Sequence, residues 1–209
     1  MAIYLGSSRA RAIRGSIVEV EPPQVTEIIQ KTISGTYINS EVSFIKSYAF
    51  RDCSNLTSIS FLNCTYIYGS AFYSCYSLVS ANFPNCSYIA TDAFRYCSSL
   101  TSVSFPSCTR VQNFAFQYCS QLALLNFPNC SYIGNNAFQS CYNLLSLYLT
   151  SVSSVTTLGS SSVFYSTPIG GYTTLTGGVY GSVYVPASLY SDFITATNWS
   201  SISMRIVSI

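Results

Sequence analysis

From residue 49 to residue 155 the apolar positions return in one order, Ala-Phe-x-x-Cys-x-x-Leu-x-x-Φ-x-Phe-Pro-x-Cys-x-x-Ile, where Φ is apolar. The opening pair stands at Ala49-Phe50, Ala71-Phe72, Ala93-Phe94, Ala115-Phe116 and Ala137-Phe138, a constant 22-residue step, with Leu56, Leu78, Leu100, Leu122 and Leu144 in phase. Around Ile59 and Phe61 the alternation has period two, which predicts a short strand over residues 58–62. Ile59 and Phe61 then point inward, while Ser58, Ser60 and Leu62 point out. Pro84, Pro106 and Pro128 end the equivalent strands, because proline cannot donate to a ladder. Phe72 and Cys75 stand at i, i+3, the spacing of one helical face, so residues 71–76 read as a helical or 3₁₀ turn. Self-similarity at this period marks a solenoid or array, in which no coil buries its apolar side alone and stacking makes the core continuous.

Leu56-x-x-Ile59-x-Phe61-x-x-Cys64 fits the leucine-rich-repeat signature, and the 22-residue unit has a leucine-rich-repeat length. The expected fold is therefore a β-dominated α/β solenoid of right-handed 22-residue coils. Each coil has one short parallel strand and one helical or 3₁₀ turn, and both ends are capped. The Ala-Phe-x-x-Cys-x-x-Leu-(Thr)-Ser-Φ-x-Phe-Pro pattern resembles the BspA-type leucine-rich repeats, found in surface proteins of oral and gut bacteria and in related phage genes. The resemblance runs from about Thr32 to the C-terminus. The family unit is usually one residue longer and often carries an aliphatic residue where this chain has Cys64, Cys86, Cys108 and Cys130. The resemblance implies a non-enzymatic display or adhesion module.

The ends depart from the pattern. Residues 1–48 read as an N-terminal segment: an edge strand at 16–21, a Pro22-Pro23 break, then a half-formed capping coil with Val42 and Ile45 in the Cys64 and Ile67 columns. Residues 49–158 hold the five repeats. Residues 159–209 hold an irregular last coil, a Gly/Ser/Thr loop over 161–182, a strand at 183–185 and a helix over 187–197 with a Leu189, Phe193, Ile194 stripe. Val152 and Val155 are expected in the inward columns, and Val163-Phe164 follows Ala137-Phe138 at a longer, 26-residue step. Trp199 and Ile206 are expected to seal the last coil, with the helix covering strand edges. The Tyr-Val-Pro…Asn-Trp tail is similar to the closing segment of BspA-type proteins. The opening Met-x-Ile-Tyr-Leu-Gly resembles that of phage structural proteins carrying such repeats.

Composition narrows the function. Charged residues make up 8% of the chain, too few for the clustered Lys/Arg of a nucleic-acid footprint; Arg9, Arg11 and Arg14 read as a solvated surface. No apolar run reaches the length of a membrane span, and the N-terminus lacks the basic and apolar regions of a secretory signal. Histidine is absent, which removes Ser-His and Cys-His nucleophile pairs. Asp52 and Asp92 lie in different columns, a poor geometry for a carboxylate pair. Gly177-Gly178-x-x-Gly181 lacks the Lys and Ser/Thr of a phosphate loop. Nine cysteines recur at an 11-residue step from Cys53 to Cys141. Such spacing is unlike the paired ligands of metal sites, and stacked parallel Cβ vectors do not suit disulfides. The thiols are expected to be free core residues of a chain made in a reducing cytoplasm, bound finally for a virion or cell surface. No enzyme, cofactor or metal is expected.

What varies between copies is the turn and its corner. Tyr66, Tyr88, Arg110 and Tyr132 form one column, beside Tyr73, Tyr76, Arg95, Tyr96, Tyr118 and Tyr142. The outward strand columns are mostly Ser and Asn. Tyr, Ser, Asn and Arg are residues of recognition surfaces, so the turn side is the expected site for a protein or surface glycan. Self-association through the solenoid ends is a further expectation. The alternative role is purely structural, as a virion spacer or filament subunit.

Overall fold

The computed structural model describes residues 34–172 and 174–209; the expected strand at 16–21, the Pro22-Pro23 break and the Arg9, Arg11, Arg14 triplet lie outside them. Strands are numbered in chain order. Two families of parallel strands alternate along the chain. The first comprises β1 (Gly35–Asn39), β3 (Leu56–Phe61), β5 (Ser80–Asn82), β7 (Ser102–Ser104), β9 (Leu124–Asn126), β11 (Ser146–Tyr148), β13 (Ser182–Val185) and β14 (Ile206–Ser208). It forms two four-stranded sheets, β1-β3-β5-β7 and β9-β11-β13-β14. The second comprises two-residue strands: β2 (Phe44–Ile45), β4 (Tyr66–Ile67), β6 (Tyr88–Ile89), β8 (Arg110–Val111), β10 (Tyr132–Ile133) and β12 (Thr157–Leu158), in one six-stranded sheet. A coil thus carries two strands where the sequence predicts one. The second lies at the corner, where a two-residue pairing is too short to show as an alternation.

The third side of each coil is the turn. Its bonds are 3₁₀-like, as Ala71 N–H donates to Tyr68 O, Tyr73 N–H to Ser70 O and Cys75 N–H to Phe72 O. They do not propagate into a helix, because the intervening Phe72 and Ser74 N–H groups donate to Ala93 and Arg95 carbonyls of the next coil. Ser70 and Ser74 sit in the left-handed region at φ 56° and 59°, and the same two positions repeat at Asp92 and Tyr96, Phe114 and Tyr118, Asn136 and Ser140. Alternate peptides can therefore face the neighbouring coil.

Inside, the repeat pattern becomes stacked rings. Phe50, Phe72, Phe94, Phe116, Phe138 and Phe164 form one fully or nearly fully buried ladder, with centroids 5.0 Å apart for Phe72–Phe94 and 5.9 Å for Phe138–Phe164. Phe61, Phe83, Phe105 and Phe127 form a second, and the two mesh edge to face, as at Phe83–Phe94 (6.0 Å, 73°). Such pairs add about 0.5–1.5 kcal/mol beyond area burial. Ala71, Ala93, Ala115 and Ala137 are also buried.

All nine cysteines are buried, and none forms a disulfide among the described residues. Their two columns differ. Cys75, Cys97, Cys119 and Cys141 donate to the Phe carbonyl of the preceding coil, Cys75 Sγ to Phe50 O at 2.9 Å. Cys64, Cys86, Cys108 and Cys130 instead donate within their own coil, to the carbonyl two residues on. Burial pushes the Cys53 and Cys130 thiols up to about 12 and raises Cys108 and Cys119 well above their ordinary value.

Towards the end the register slips. Ile133 pairs with Leu158, not Val155, which is half-buried. The column rule puts Val155 there, but the longer last repeat carries it past. Val152 is buried as expected. Thr156 is buried and its Oγ1 donates to Cys130 O at 2.7 Å, while Trp199 Nε1 donates to Thr156 O at 2.6 Å. Trp199 and Ile206 thus seal the last coil. The expected helix is shorter: a 3₁₀ turn at Ala187–Leu189 leads into α1 (Tyr190–Thr195). α1 stops where Ala196 turns extended and its N–H returns to Asp192 and Phe193 carbonyls. At the other end Ile45 pairs with Ile67 and Val42 is buried, the half-formed coil anticipated there. The Asn39 side chain shapes its corner by accepting from the Glu41 and Val42 N–H groups.

Candidate partner-binding surface

The coil has three sides, and their side chains are used differently. On the first-sheet side Ser58 Oγ meets Ser80 Oγ at 2.7 Å and Asn82 Nδ2 donates to Ser60 Oγ at 3.0 Å. These small groups satisfy one another across the strands. The side ends in larger residues, with Leu124 exposed and Tyr148 stacked on Tyr184 at 4.5 Å. At the corner, Asn85 Nδ2 donates to Leu62 O and Asn129 Nδ2 to Pro106 O of the preceding coil. The Asn that precedes the corner Cys at Asn63, Asn85 and Asn129 therefore has a structural use.

The second sheet carries the Tyr66, Tyr88, Arg110, Tyr132 column in continuous register. Tyr66 and Tyr88 stack at 4.3 Å with planes 9° apart, and the Arg110 guanidinium lies 5.2 Å from the Tyr132 ring centroid. Desolvation, helped by the neighbouring Tyr88 phenol, pushes Tyr66 up to about 12. Tyr68, outside the expected set, packs 4.4 Å from Tyr66.

The turn carries the other group. Tyr96 and Tyr118 stack at 4.8 Å with planes 5° apart, and Tyr73 meets Tyr96 edge to face at 5.4 Å. Arg95 lies over the Tyr96 ring at 5.0 Å and the Phe114 ring at 5.4 Å, and pairs with Asp92 at 3.2 Å. Below, Gln117 Nε2 donates to Gln139 Oε1, which also accepts from Asn136 Nδ2 at 2.8 Å. Arg95 Nε and Gln117 Oε1, on adjacent coils of one column, are buried without a hydrogen-bond partner among the described residues. Tyr142 contacts Tyr172 at 5.6 Å, and Tyr76 stands exposed.

The ten expected residues thus lie on two adjoining sides of the coil: the corner strand gives the Tyr66 column a sheet of its own, and the turn carries the rest. Several partners were missed. Arg51 lies over Tyr73 at 4.8 Å and Tyr48 at 5.5 Å; extending the Tyr73, Arg95 column one repeat upstream finds it. Tyr165 continues the same column after Gln139, hidden by the lengthening of the last repeat. Among the described residues no group of three His, Cys, Asp or Glu could hold a metal ion, and no helix is long and apolar enough to cross a membrane.

Stacked short parallel strands, a buried Leu column and a 22-residue step define a leucine-rich-repeat solenoid. The family model for the BspA type leucine rich repeat region (6 copies) matches residues 29–145 and 65–175, and the chain belongs to that family. The chain is similar in fold to a leucine-rich repeat protein of T. pallidum, with TM-score 0.51 and 21% identity over 78% of this chain and 68% of that one. A leucine rich cell surface protein of Faecalibacterium prausnitzii matches at TM-score 0.47 and 18% identity over 75% of this chain and 55% of that one. A leucine-rich repeat protein of Bacteroides ovatus matches at 0.46 and 23%, over 60% and 39%. The chain thus spans about two thirds or less of these proteins. Among curated proteins nothing matches it.

Proposed function

We propose that the chain is a non-enzymatic binding module whose turn side docks a protein or surface glycan, at a cell surface or on a virion. One observation carries this reading: the first-sheet side ties its Ser and Asn groups to one another, whereas the turn side presents half-buried Tyr and Arg side chains. The latter are the residues that dominate interface energies, because each brings large contact area and a polar handle.

The test immobilises the full chain and probes it with bacterial surface glycans and host matrix proteins. Arg95→Ala, Tyr96→Ala and Tyr118→Ala together should abolish binding; Ser80→Ala, Asn82→Ala, Ser102→Ala and Ser104→Ala together should leave it. Since Tyr96 and Tyr118 stack on each other, the first set should also lower stability, by about 0.5–1.5 kcal/mol for the lost ring pair. Binding lost only in the serine set would move the site to the first sheet. Binding by neither probe class would favour the structural role.

A further inference from the structure

The turn side ends in a cleft. Where the regular coils give way to the loop after Phe164, an opening of about 410 Å³ is walled by Ser161, Tyr165, Ser166, Gly171, Tyr172 and Ser201, with Phe164 and Ile202 at its base. That volume lies at the low end of the roughly 300–1,000 Å³ typical of small-ligand sites.

The loop that shapes it is held in one form. Thr167 is buried, its Oγ1 donating to Phe164 O at 2.7 Å and accepting from Gly170 N–H at 3.0 Å. Tyr172 N–H donates to Thr167 O at 2.8 Å and Gly171 N–H to Pro168 O at 3.2 Å. A Cβ on Gly170 would stand 2.1 Å from Phe164 O, so only glycine allows this approach, and Gly171 turns at φ +96°. A wall fixed before a ligand arrives costs little ordering on binding.

Its chemistry is selective. Among the described residues no charged side chain lines the cleft, so nothing there holds a carboxylate or phosphate. Three serines line it: Ser161 and Ser166 hydroxyls can donate and accept, while Ser201 Oγ donates to Asn198 O at 3.1 Å and is left to accept. Tyr165 is 63% exposed, unlike the half-buried stacked tyrosines of the regular coils, and it offers a flat apolar face with a polar tip. Tyr172 stands opposite in the wall, braced by Tyr142. A ligand matching this lining is uncharged, has one apolar face and carries hydroxyls around its rim.

We propose that the cleft seats a neutral sugar ring, its apolar face on Tyr165 and its hydroxyls on Ser161, Ser166 and Ser201. This rests on the reading of the turn side as the binding surface and gives its C-terminal end a ligand class. The experiment titrates the full chain with maltose, cellobiose, lactose and N,N′-diacetylchitobiose, with glucuronic acid as the charged comparison, followed by calorimetry and by saturation transfer from the protein to the sugar. At least one neutral disaccharide should bind and glucuronic acid should not. Tyr165→Ala should weaken that binding about tenfold, the loss expected for one aromatic contact. Ser201→Trp, which fills the mouth, should abolish it, and Leu62→Ala, exposed several coils away and outside the turn side, should leave it unchanged. Binding of no neutral disaccharide, or binding indifferent to both cleft variants, overturns the proposal. If the Arg95, Tyr96, Tyr118 set still abolishes capture of a partner in that case, the turn-side reading stands without the cleft.

Discussion

The regular coils and the last coil solve the same problem by different means. In the regular coils the Phe, Leu and Cys of the core each have a copy one coil away, so identical rings stack and identical thiols repeat their bonds. Such stacking fills space without a cleft. In the last coil no identical neighbour follows, and the core is closed by unlike groups. Thr156 stands over Cys130, Trp199 donates to Thr156, and Phe193 meets Trp199 edge to face at 5.1 Å. That irregularity leaves the opening beside Tyr165. Repetition yields a filled core; breaking it yields a concave surface.

The strongest way to break the comparison is alkaline pH, because all nine thiols lie in the regular coils and none follows Cys141. Burial holds Cys53 and Cys130 at about 12 in the folded state, against about 8.5 in an unfolded chain. A raised acid pKa favours the fold below the unfolded value, and the advantage is lost as pH rises towards the folded one. Each such thiol removes about 1.4 kcal/mol per pH unit within that window. The melting midpoint should therefore fall steeply between about pH 9 and 12, as followed by circular dichroism. A variant with its cysteines replaced by alanine should lose most of this alkaline slope despite its lower starting stability, keeping the part that Tyr66, itself pushed up to about 12, contributes. A flat midpoint in the parent chain would mean the thiols are not excluded from water.

Next in size is Phe94→Ala. The ring touches Phe72, Phe116, Phe83 and Phe105, and its removal should cost about 3–5 kcal/mol in a denaturant titration. Ala93→Leu beside it should cost about 1–3 kcal/mol by overpacking. In the last coil the matching probe is Trp199→Phe, which keeps most of the apolar volume but leaves Thr156 O without its donor. The expected loss is about 1–3 kcal/mol, and it should appear as earlier hydrogen exchange confined to residues 156–209. A loss spread evenly over the repeats would show that the two regions unfold as one unit.

The difference between the regions also decided what could be read in advance. The Phe, Leu, Ile and Cys columns were legible because burial acts on side-chain type at a fixed step, and every Phe, Leu and Cys of those columns is buried. The corner strands were not, since two residues of pairing leave no periodic trace. Tyr66, Tyr88, Arg110 and Tyr132 were still legible as one column, because their 22-residue step matches the register of the corner sheet. In the last coil the column rule placed Val155 where Leu158 stands, and Tyr165 was lost from the turn column for the same reason. A four-residue change of step carries no mark saying where the extra residues go. The cleft was illegible because it depends on Gly170 approaching Phe164 O, a contact between backbones.

The smallest effect concerns the turn backbone of the regular coils. Ser70 sits at φ 56° and Tyr118 at 63°, a region that costs an ordinary L-residue about 1–2 kcal/mol and glycine almost nothing. Glycine at either site removes that strain, although its freer unfolded chain takes back about 0.5–1 kcal/mol. Ser70 is half-buried and its side chain makes no hydrogen bond among the described residues, so Ser70→Gly should raise stability by roughly 0.5 kcal/mol. Tyr118→Gly gains the same relief but loses the stack on Tyr96, worth about 0.5–1.5 kcal/mol, and should be neutral or worse. Paired denaturant titrations separate the two. If Tyr118→Gly stabilises as much as Ser70→Gly, the stacked ring adds nothing to the fold, and its presence at a strained position is left to binding alone.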